Sequence, residues 1–413
     1  MKFLRIFAIG VIFAGTSLAW LILGAITSER TGEVGGRLSQ SVNELWGNVL
    51  VQRAPELALV WTTQELVTRE EMDAQGRTRP VQERVTQVHQ RNVMPDSSKV
   101  QVGLQLDQRL KGLMWYSLYD VAFAGSWSYV HQDPTTRELR IAFAFPDQNG
   151  IYDDFHFELN GQRLQGLEPV NGRVETTVPV KVGDELQFQI GYKSRGVDSY
   201  TYQPTDSVGT LRNFDLSMIT DFAEIDFPSG TMSPSERTFG DEGWTLRWKF
   251  AQVVTGRGIG MAMPKRIQPG ELAAALSFSA PISLFFYFLL IFVLATLRQI
   301  DLHPINYLFL AGAFFAFHLA FAYSVDHLTL VPAFVVSSLI SLLLAGTYLR
   351  LVVSGRFAIV EAGLAQLIYL IGFSLAHFVD GYTGLTVTAL SIATLFLLMQ
   401  LTGRIRWSEV LRS

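Results

Sequence analysis

Six apolar stretches of about 20 residues each occupy the two ends of the chain, with a polar region between them. A helix of about 20 residues spans the hydrocarbon core of a bilayer, so each stretch predicts a membrane-spanning helix. The turns between the last five stretches are too short to hold independent structure. The predicted spans are residues 7–26, 277–297, 305–324, 328–349, 357–378 and 384–402.

The first apolar stretch has two interpretations. Lys2 and Arg5 precede it, and Ser17-Leu18-Ala19 resembles the small-residue cleavage site of a secretory signal peptide. The apolar run continues past that site to residue 26, whereas the apolar part of a signal peptide is usually about 7–15 residues long. We therefore predict a retained membrane anchor, with a cleaved signal peptide as the alternative.

The polar region shows the alternation of apolar and polar residues that is typical of half-buried β-strands. Residues 139–145 and 155–159 alternate most clearly, and Asn160-Gly161 predicts a hairpin turn. Residues 60–102 predict a long hairpin that turns at residues 73–76, and residues 34–48 predict an amphipathic helix. Further strands are predicted at residues 174–182, 186–192, 213–219 and 244–254, which together favour an antiparallel sandwich.

These elements predict an α+β membrane protein with three parts. Residues 1–27 form the N-terminal anchor, and residues 28–272 form a β-rich, sandwich-like periplasmic domain led by the amphipathic helix. Residues 273–413 form a bundle of five transmembrane helices. The predicted partners are therefore the lipid bilayer and a periplasmic or inner-membrane protein.

Charge supports this division and predicts the orientation. Only 17% of residues are charged, against about 25% in soluble proteins, and residues 273–413 hold 11 charged side chains. Lys and Arg collect at cytoplasmic flanks, which predicts that both termini are cytoplasmic. The turns near Asp326 and Asp380 carry neither Lys nor Arg, whereas the opposite ends carry Lys2, Arg5, Arg298, Arg350, Arg356, Arg404, Arg406 and Arg412.

Composition and motifs give no indication of catalysis. The chain has no cysteine and a net charge of −4, which argues against thiol chemistry and nucleic-acid binding. Phosphate-loop, nucleophile-elbow and zinc-helix motifs are absent, so no cofactor is predicted. A divalent metal ion could in principle be bound by Asp153, Asp154 and His156. We favour the interpretation that these carboxylates are solvated, at a point where a loop leads into a strand. The glycine-rich residues 256–260 are interpreted as flexible backbone before the second span.

Ionisable residues in the predicted membrane segments are the candidate functional residues, because such groups are costly in lipid and usually face protein or water. One hypothesis is a polar pocket for a ligand or protons, and another is a docking seam for the periplasmic domain. Ordinary helix–helix hydrogen bonds and interfacial caps are the interpretation we favour. The candidates are His318, Asp326, His327, Glu361, His377 and Asp380. Glu361 lies near Arg356 in the sequence.

Several segments resemble the CreD family of bacterial inner-membrane proteins, also called cell envelope integrity proteins. Leu45-Trp46-Gly47 and Asp147-Gln148-Asn149-Gly150-Ile151 resemble its early signature and its "D-x-x-G-I" segment. Phe227-Pro228-Ser229-Gly230, His303-Pro304-Ile305-Asn306-Tyr307 and Arg404-Ile405-Arg406-Trp407 resemble later blocks in the same order. The chain departs from the family pattern at Ala295 and Val379, where the family carries acids.

The resemblance implies a role in envelope integrity, colicin tolerance and a two-component stress response, and no biochemical activity is established for the family. We therefore expect a non-catalytic envelope protein whose β domain binds an envelope partner. A transport or export subunit and a membrane sensor of envelope state are the alternatives.

Overall fold

The computed structural model describes residues 2–72, 78–111, 114–353, 355–379 and 381–403. The chain forms two compact units. The helical unit comprises Met1–Ser39, Leu110–Trp115 and Arg266–Ser413, and the β unit comprises Gln40–Arg109 and Tyr116–Lys265.

Six helices in the described part of the chain are long and apolar enough to cross a membrane, which confirms the six predicted spans. The first helix continues without a break beyond the apolar stretch and includes residues 34–46 of the predicted amphipathic segment, which was expected to end at residue 48. Side chains such as Val331 and Phe396 are exposed on these helices, as expected for surfaces that contact the lipid bilayer. The helices are α1 (Lys2–Trp46), α2 (Pro269–Leu297), α3 (Pro304–Ser324), α4 (Leu330–Val352), α5 (Phe357–Phe378) and α6 (Thr383–Thr402).

Helix α5 is irregular. Its Phe357–Ala362 and Leu367–Gly372 segments are π-helical, and it ends in a 3₁₀ turn, Ala376–Phe378. A wider π turn changes which side chains face the neighbouring helices. Glu361 lies in the first of these π-helical segments.

The described residues contain fifteen strands, which lie in the β unit except for residues 110–111 and 114–115, which belong to the helical unit. They are β1 (Leu50–Arg53), β2 (Glu56–Met72), β3 (Thr78–Val93), β4 (Ser97–Lys111), β5 (Met114–Val130), β6 (Arg137–Ala144), β7 (Asp153–Leu159), β8 (Gln162–Arg163), β9 (Arg173–Val180), β10 (Glu185–Val197), β11 (Ser199–Gln203), β12 (Gly209–Thr220), β13 (Glu236–Phe239), β14 (Trp244–Thr255) and β15 (Ile259–Ala262).

The strands form three sheets. The largest has the order β13-β14-β12-β4-β5-β10-β7-β8, and the others are β3-β2-β6-β9 and β1-β11-β15. Most neighbours are antiparallel, as predicted, but β1 pairs with β11 and β12 pairs with β4 in parallel. The β-rich, mainly antiparallel fold is as predicted. The two parallel pairs were not predicted, because they join strands far apart along the chain and alternation along one strand does not reveal such pairing.

The β7–β8 hairpin forms as predicted, and the long hairpin forms over β2 and β3, whereas residues 97–102 of its predicted range belong to β4 of the large sheet. Strands β2 and β3 pair from Leu57 with Val93 to Met72 with Thr78, and the predicted turn at residues 73–76 lies outside the described residues. Asn160 and Gly161 connect β7 to β8 with φ values of 50° and 77°, the left-handed conformations that a tight hairpin turn requires.

The glycine-rich segment at residues 256–260 is not merely flexible backbone. Residues from Ile259 onward form β15, which pairs with β11. A Cβ on Gly260 would lie 3.0 Å from the Tyr200 carbonyl oxygen, so glycine allows this close backbone approach. The interpretation as flexible backbone is therefore wrong, because the glycines permit tight strand packing here.

One aromatic core joins the three sheets. The Phe123 ring of β5 lies 6.1 Å from that of Phe143 on β6 and 6.2 Å from that of Tyr202 on β11. Such offset aromatic contacts contribute beyond the buried area. Because the chain has no cysteine, this core stabilises the β unit without disulfides.

Candidate functional site

Asp326 forms an ion pair within the helical unit. The Arg30 guanidinium on α1 donates to both carboxylate oxygens of Asp326, at 2.9 and 3.2 Å, and to the Ala322 carbonyl oxygen at 2.8 Å. It also lies 5.0 Å from the Tyr323 ring centroid. A bidentate, partly buried pair of this kind fixes two elements against each other. The arrangement therefore gives Asp326 a structural contact between α1 and the end of α3.

His318 is buried in an aromatic environment. Its Nδ1 lies 3.2 Å from the Phe314 carbonyl oxygen, one turn earlier in α3. The rings of Trp20 and Phe317 meet its ring edge to face, with centroids 5.9 and 4.9 Å away. The buried Nε1 of Trp20 has no hydrogen-bond partner among the described residues. This packing makes His318 part of the contact between α1 and α3.

Glu361 pairs with a different arginine from the one nearby in sequence. Arg298, at the end of α2, donates to a Glu361 carboxylate oxygen at 2.6 Å. The sequence interpretation placed Glu361 near Arg356, whereas Arg298 is 63 residues away along the chain, so sequence proximity does not indicate this pair. The second Glu361 oxygen is buried without a partner in the described structure.

The remaining candidates do not complete a site. His327 is exposed in the turn after α3, and His377 is half-buried with Nδ1 3.3 Å from the Phe373 carbonyl oxygen. Asp380 lies outside the described residues. Gln366, a further polar residue of α5, donates to the Ser341 hydroxyl at 2.8 Å, which in turn donates to the Ala313 carbonyl oxygen. Some described polar groups of the bundle thus bond to neighbouring helices, and many serines and threonines bond to carbonyl oxygens of their own helix.

A cleft of about 1180 Å³ opens in the β unit. Its floor is the face of the large sheet that points away from the aromatic core, because Asp120 and Ala122 are exposed while the intervening Val121 is buried. The last turns of α1 form one wall, and the loop after β6 together with β10 forms the other. Its lining includes Gln40, Glu44, Trp46, Asn48, Gly103, Gln105, Asp120, Ala122, Asp147, Asn149, Asp153, Lys193 and Arg195.

Small residues make room on the cleft floor. Ala122 of β5 lies opposite Lys193 of β10, and a Cβ on Gly103 of β4 would lie 3.8 Å from the Cβ of Ala122. These positions form one row across three strands. Because two members of the row have almost no side chain, a ligand can approach the sheet closely there.

Trp46 forms a fixed edge of the cleft. The Arg109 and Arg195 guanidinium carbons lie 4.1 and 5.2 Å from its ring centroid, which is the geometry of cation–π contacts. Arg195 Nε also donates to Asp120 at 3.2 Å, across the strand pair β5–β10. The indole is therefore held in one orientation by charged neighbours.

The loop from Asp147 to Ile151 is fastened at several points. The Tyr152 hydroxyl accepts from the Asp147 backbone N–H at 2.8 Å and donates to the Asp147 carbonyl oxygen at 2.7 Å. Asn48 donates to the Asp147 carboxylate at 2.8 Å, and Ser194 donates to the Ile151 carbonyl oxygen at 2.9 Å. Burial raises the pKa of Tyr152 to about 12, so its hydroxyl stays protonated at neutral pH.

Lys193 is already paired in the cleft. Its ammonium group donates to Asp154 at 2.7 Å, and this hydrogen bond raises the pKa of Lys193 and lowers the pKa of Asp154. His156 Nδ1 lies 3.1 Å from the Asp154 carbonyl oxygen. No group of three His, Asp or Glu residues in the described parts of the chain is arranged to hold a metal ion.

The sequence analysis did not identify the cleft as a site, although it contained a signal. Leu45-Trp46-Gly47 and the segment from Asp147 to Ile151 were noted only for their family resemblance. Residues of both segments line the cleft, and the neighbouring Asn48 donates to Asp147 there. Their separation by about 100 residues along the chain hides this proximity until the fold is known.

One solved structure has a weak similarity to this chain. A putative nutrient binding protein from Legionella pneumophila subsp. pneumophila str. Philadelphia 1 aligns with 59% of this chain and 96% of its own, at 10% identity and a TM-score of 0.30. That score supports no inference about fold or ligand. No curated protein matches the sequence.

The family comparison is informative. The model of the family described as inner membrane protein CreD matches residues 1–267, which is more than half of the 413-residue chain. The match includes the first predicted span and both segments that line the cleft. The motif resemblances after residue 267 lie outside it and stay a prediction. With its six apolar helices, the chain belongs to the CreD family of inner membrane proteins.

Proposed function

We propose that this protein is a non-catalytic inner-membrane protein that supports cell envelope integrity by binding an envelope partner protein in the cleft of its β unit. In this proposal residues 1–27 anchor the chain and residues 28–272 lie in the periplasm. Residues 273–413 form the membrane bundle, and both termini are cytoplasmic. The arginine distribution described above supports this orientation.

The observation that carries the proposal is the composition of the cleft walls. The two segments with family resemblance, around Trp46 and around Asp147, meet there and are held by bonds that leave an open floor at Gly103 and Ala122. Binding residues are concentrated on loops that a rigid scaffold positions, and this cleft has that construction.

The bundle supports an anchoring role. Asp326 and Glu361, two of its ionisable candidates, form ion pairs with Arg30 and Arg298. A transport pathway uses intramembrane charges that bind and release a substrate or proton, whereas these two are committed to helix-to-helix contacts. The structural interpretation of the candidates is therefore the one that we favour over transport.

A complementation experiment tests the proposal. Gly103→Trp fills the cleft without changing charge, and Gln101→Trp adds the same side chain to the same exposed face of β4, outside the cleft. Each full-length variant is expressed in a strain lacking the gene, and leakage of a periplasmic enzyme is measured under detergent stress. We expect Gln101→Trp to restore integrity and Gly103→Trp to leave the deletion phenotype at equal protein levels.

Two results would contradict the proposal. Full restoration by Gly103→Trp would show that the cleft is dispensable. A deletion strain that leaks no more than the parent would remove the envelope role.

A further inference from the structure

We propose that the cleft of the β unit binds a basic, extended segment of a partner protein, with Glu44, Asp147 and Asp153 receiving its Lys or Arg side chains. This inference deepens the function proposed above and rests on it. Three features of the cleft support the inference. It has more carboxylates than cationic side chains, it is large and lined by side-chain amides that can form hydrogen bonds, and its floor consists of small residues.

The charges lining the cleft do not balance. Lys193 and Arg195 are its cationic side chains, and each already pairs with a carboxylate, Asp154 and Asp120 respectively. Glu44 and Asp147 have no ion-pair partner among the described residues, and Asp153 lies opposite Lys193, whose ammonium group is hydrogen-bonded to Asp154. Glu44 and Asp147 accept only neutral donors, from Gln40, Asn48 and the Asn149 backbone N–H. Electrostatic complementarity therefore favours a cationic occupant.

The three carboxylates lie on two sides of the cleft. Glu44 is on the last turn of α1, whereas Asp147 and Asp153 are at the two ends of the opposite loop. This spread disfavours a single metal ion, which needs ligands converging within about 2–2.6 Å of one point. Cationic side chains spaced along a chain fit such a distribution.

The volume also favours a chain of several residues. Small-molecule pockets are commonly about 300–1,000 Å³, and this cleft is about 1180 Å³ and open. The side-chain amides of Gln40, Gln105 and Asn149 line it and can bond to the carbonyl and N–H groups of a bound backbone. The Gly103 and Ala122 floor lets that backbone lie close to the sheet.

Trp46 lines the cleft but does not offer its ring as a free binding site for an incoming cation. Its ring already contacts the guanidinium groups of Arg109 and Arg195. Incoming cations are therefore directed to the carboxylates. The volume and the small-residue floor are the features that favour an extended segment as the occupant.

Peptide binding to the full-length protein in nanodiscs of zwitterionic lipid tests the inference. The probes are two fluorescein-labelled eight-residue peptides of alternating Lys and Ser or alternating Glu and Ser, and anisotropy is measured at low and high salt. We expect the Lys peptide alone to bind, and its affinity to fall as salt rises, because exposed charge pairs are screened.

Matched variants localise the binding. We expect the double variant Glu44→Gln with Asp153→Asn to weaken binding of the Lys peptide by about tenfold, since two exposed charge contacts are lost. Glu224→Gln removes an exposed carboxylate elsewhere in the β unit and serves as the control, with an expected change below about twofold. Gly103→Trp should abolish binding by filling the floor, and Gln101→Trp should leave it unchanged.

The outcomes separate this inference from the proposed function. Equal binding of the two peptides, no binding of the Lys peptide, or equal effects of the double variant and Glu224→Gln would overturn the inference. If the Lys peptide fails to bind while Gly103→Trp still fails to complement in cells, the cleft retains its role and only the basic occupant is wrong. If Gly103→Trp complements fully, the proposed function falls as well.

Discussion

Two neighbouring tyrosines in the β unit, Tyr192 and Tyr200, differ in whether their hydroxyl groups donate a hydrogen bond, and this difference predicts how each Tyr→Phe substitution changes stability. The Tyr192 hydroxyl donates to the buried side-chain oxygen of Gln52 at 2.7 Å. The Tyr200 hydroxyl lies near Tyr192 but makes no hydrogen bond of normal geometry in the described structure. Both rings are buried. The first hydroxyl therefore satisfies a buried polar group, and the second does not.

We expect Tyr192→Phe to lower the free energy of unfolding by about 1–3 kcal/mol, because it leaves the Gln52 oxygen buried without a donor. Tyr200→Phe should cost less or stabilise, since it removes a buried hydroxyl that lacks a partner. Denaturant unfolding of the two full-length variants, followed by tryptophan fluorescence, measures the difference. A larger loss for Tyr200→Phe would contradict the assigned hydrogen bond.

The same tyrosines predict a pH dependence. Burial raises the pKa of Tyr119, Tyr192 and Tyr200 above the value of about 10 that they have in the unfolded chain. The folded state then keeps these groups neutral while the unfolded state ionises, so their contribution to stability is complete below pH 10 and is lost above it. Each contributes a slope of up to about 1.4 kcal/mol per pH unit.

Unfolding measured between pH 8 and 11 checks this expectation, with ultraviolet absorbance reporting tyrosine ionisation. We expect stability to fall above about pH 10 and part of the tyrosine absorbance change to coincide with unfolding. Stability that stays constant to pH 11, with all 13 tyrosines titrating in the folded protein, would contradict the burial of this cluster.

At the level of elements, the ion pair between Arg30 and Asp326 connects α1 to the end of α3. We expect Asp326→Asn to lower the stability of the detergent-purified protein by about 1–3 kcal/mol, because a partly buried guanidinium loses its charged acceptor. The exchange Arg30→Asp with Asp326→Arg should recover part of that loss. Thermal unfolding measures both, with Arg37→Gln, an exposed change on the same helix, as the control. An Asp326→Asn protein as stable as the control would contradict a structural role.

Glycines in α1 allow a second test at this scale. A Cβ on Gly36 meets no atom within 4 Å, whereas one on Gly35 would lie 2.6 Å from Met114 Sδ. Gly36→Ala should therefore stabilise the protein by about 0.5–1 kcal/mol through reduced backbone entropy. Gly35→Ala should gain less, since Met114 must move. Equal gains in thermal unfolding experiments would show that Met114 does not pack against α1.

Elements were predictable where a local pattern specified them. The six spans follow from apolar length, and the β2–β3 and β7–β8 hairpins follow from alternation and turn residues. The parallel pairing of β4 with β12 was not predictable, because it joins segments about 115 residues apart. The Glu361–Arg298 pair was not predictable either, because it joins residues 63 positions apart on two helices.

The whole molecule combines a helical unit with a β unit that contains the cleft. From the sequence, membrane residence and the presence of a β-rich domain were predictable, since both arise from composition over long segments. The cleft was not, because Trp46, Asp120, Asp147 and Arg195 come from four separate places along the chain. Predicting it required the sheet order that brings β4, β5 and β10 together.

The central claim is that the β unit lies outside the cytoplasm, and cysteine labelling tests it most directly because the chain has no cysteine of its own. Val208→Cys introduces a thiol at a side chain that is 76% exposed in the β unit, and Gly355→Cys introduces one between α4 and α5. Cells with a permeabilised outer membrane and an intact inner membrane are treated with a membrane-impermeant maleimide. We predict labelling at position 208 before lysis and at position 355 only after lysis. Labelling in the reverse order would contradict the orientation, and with it the envelope role.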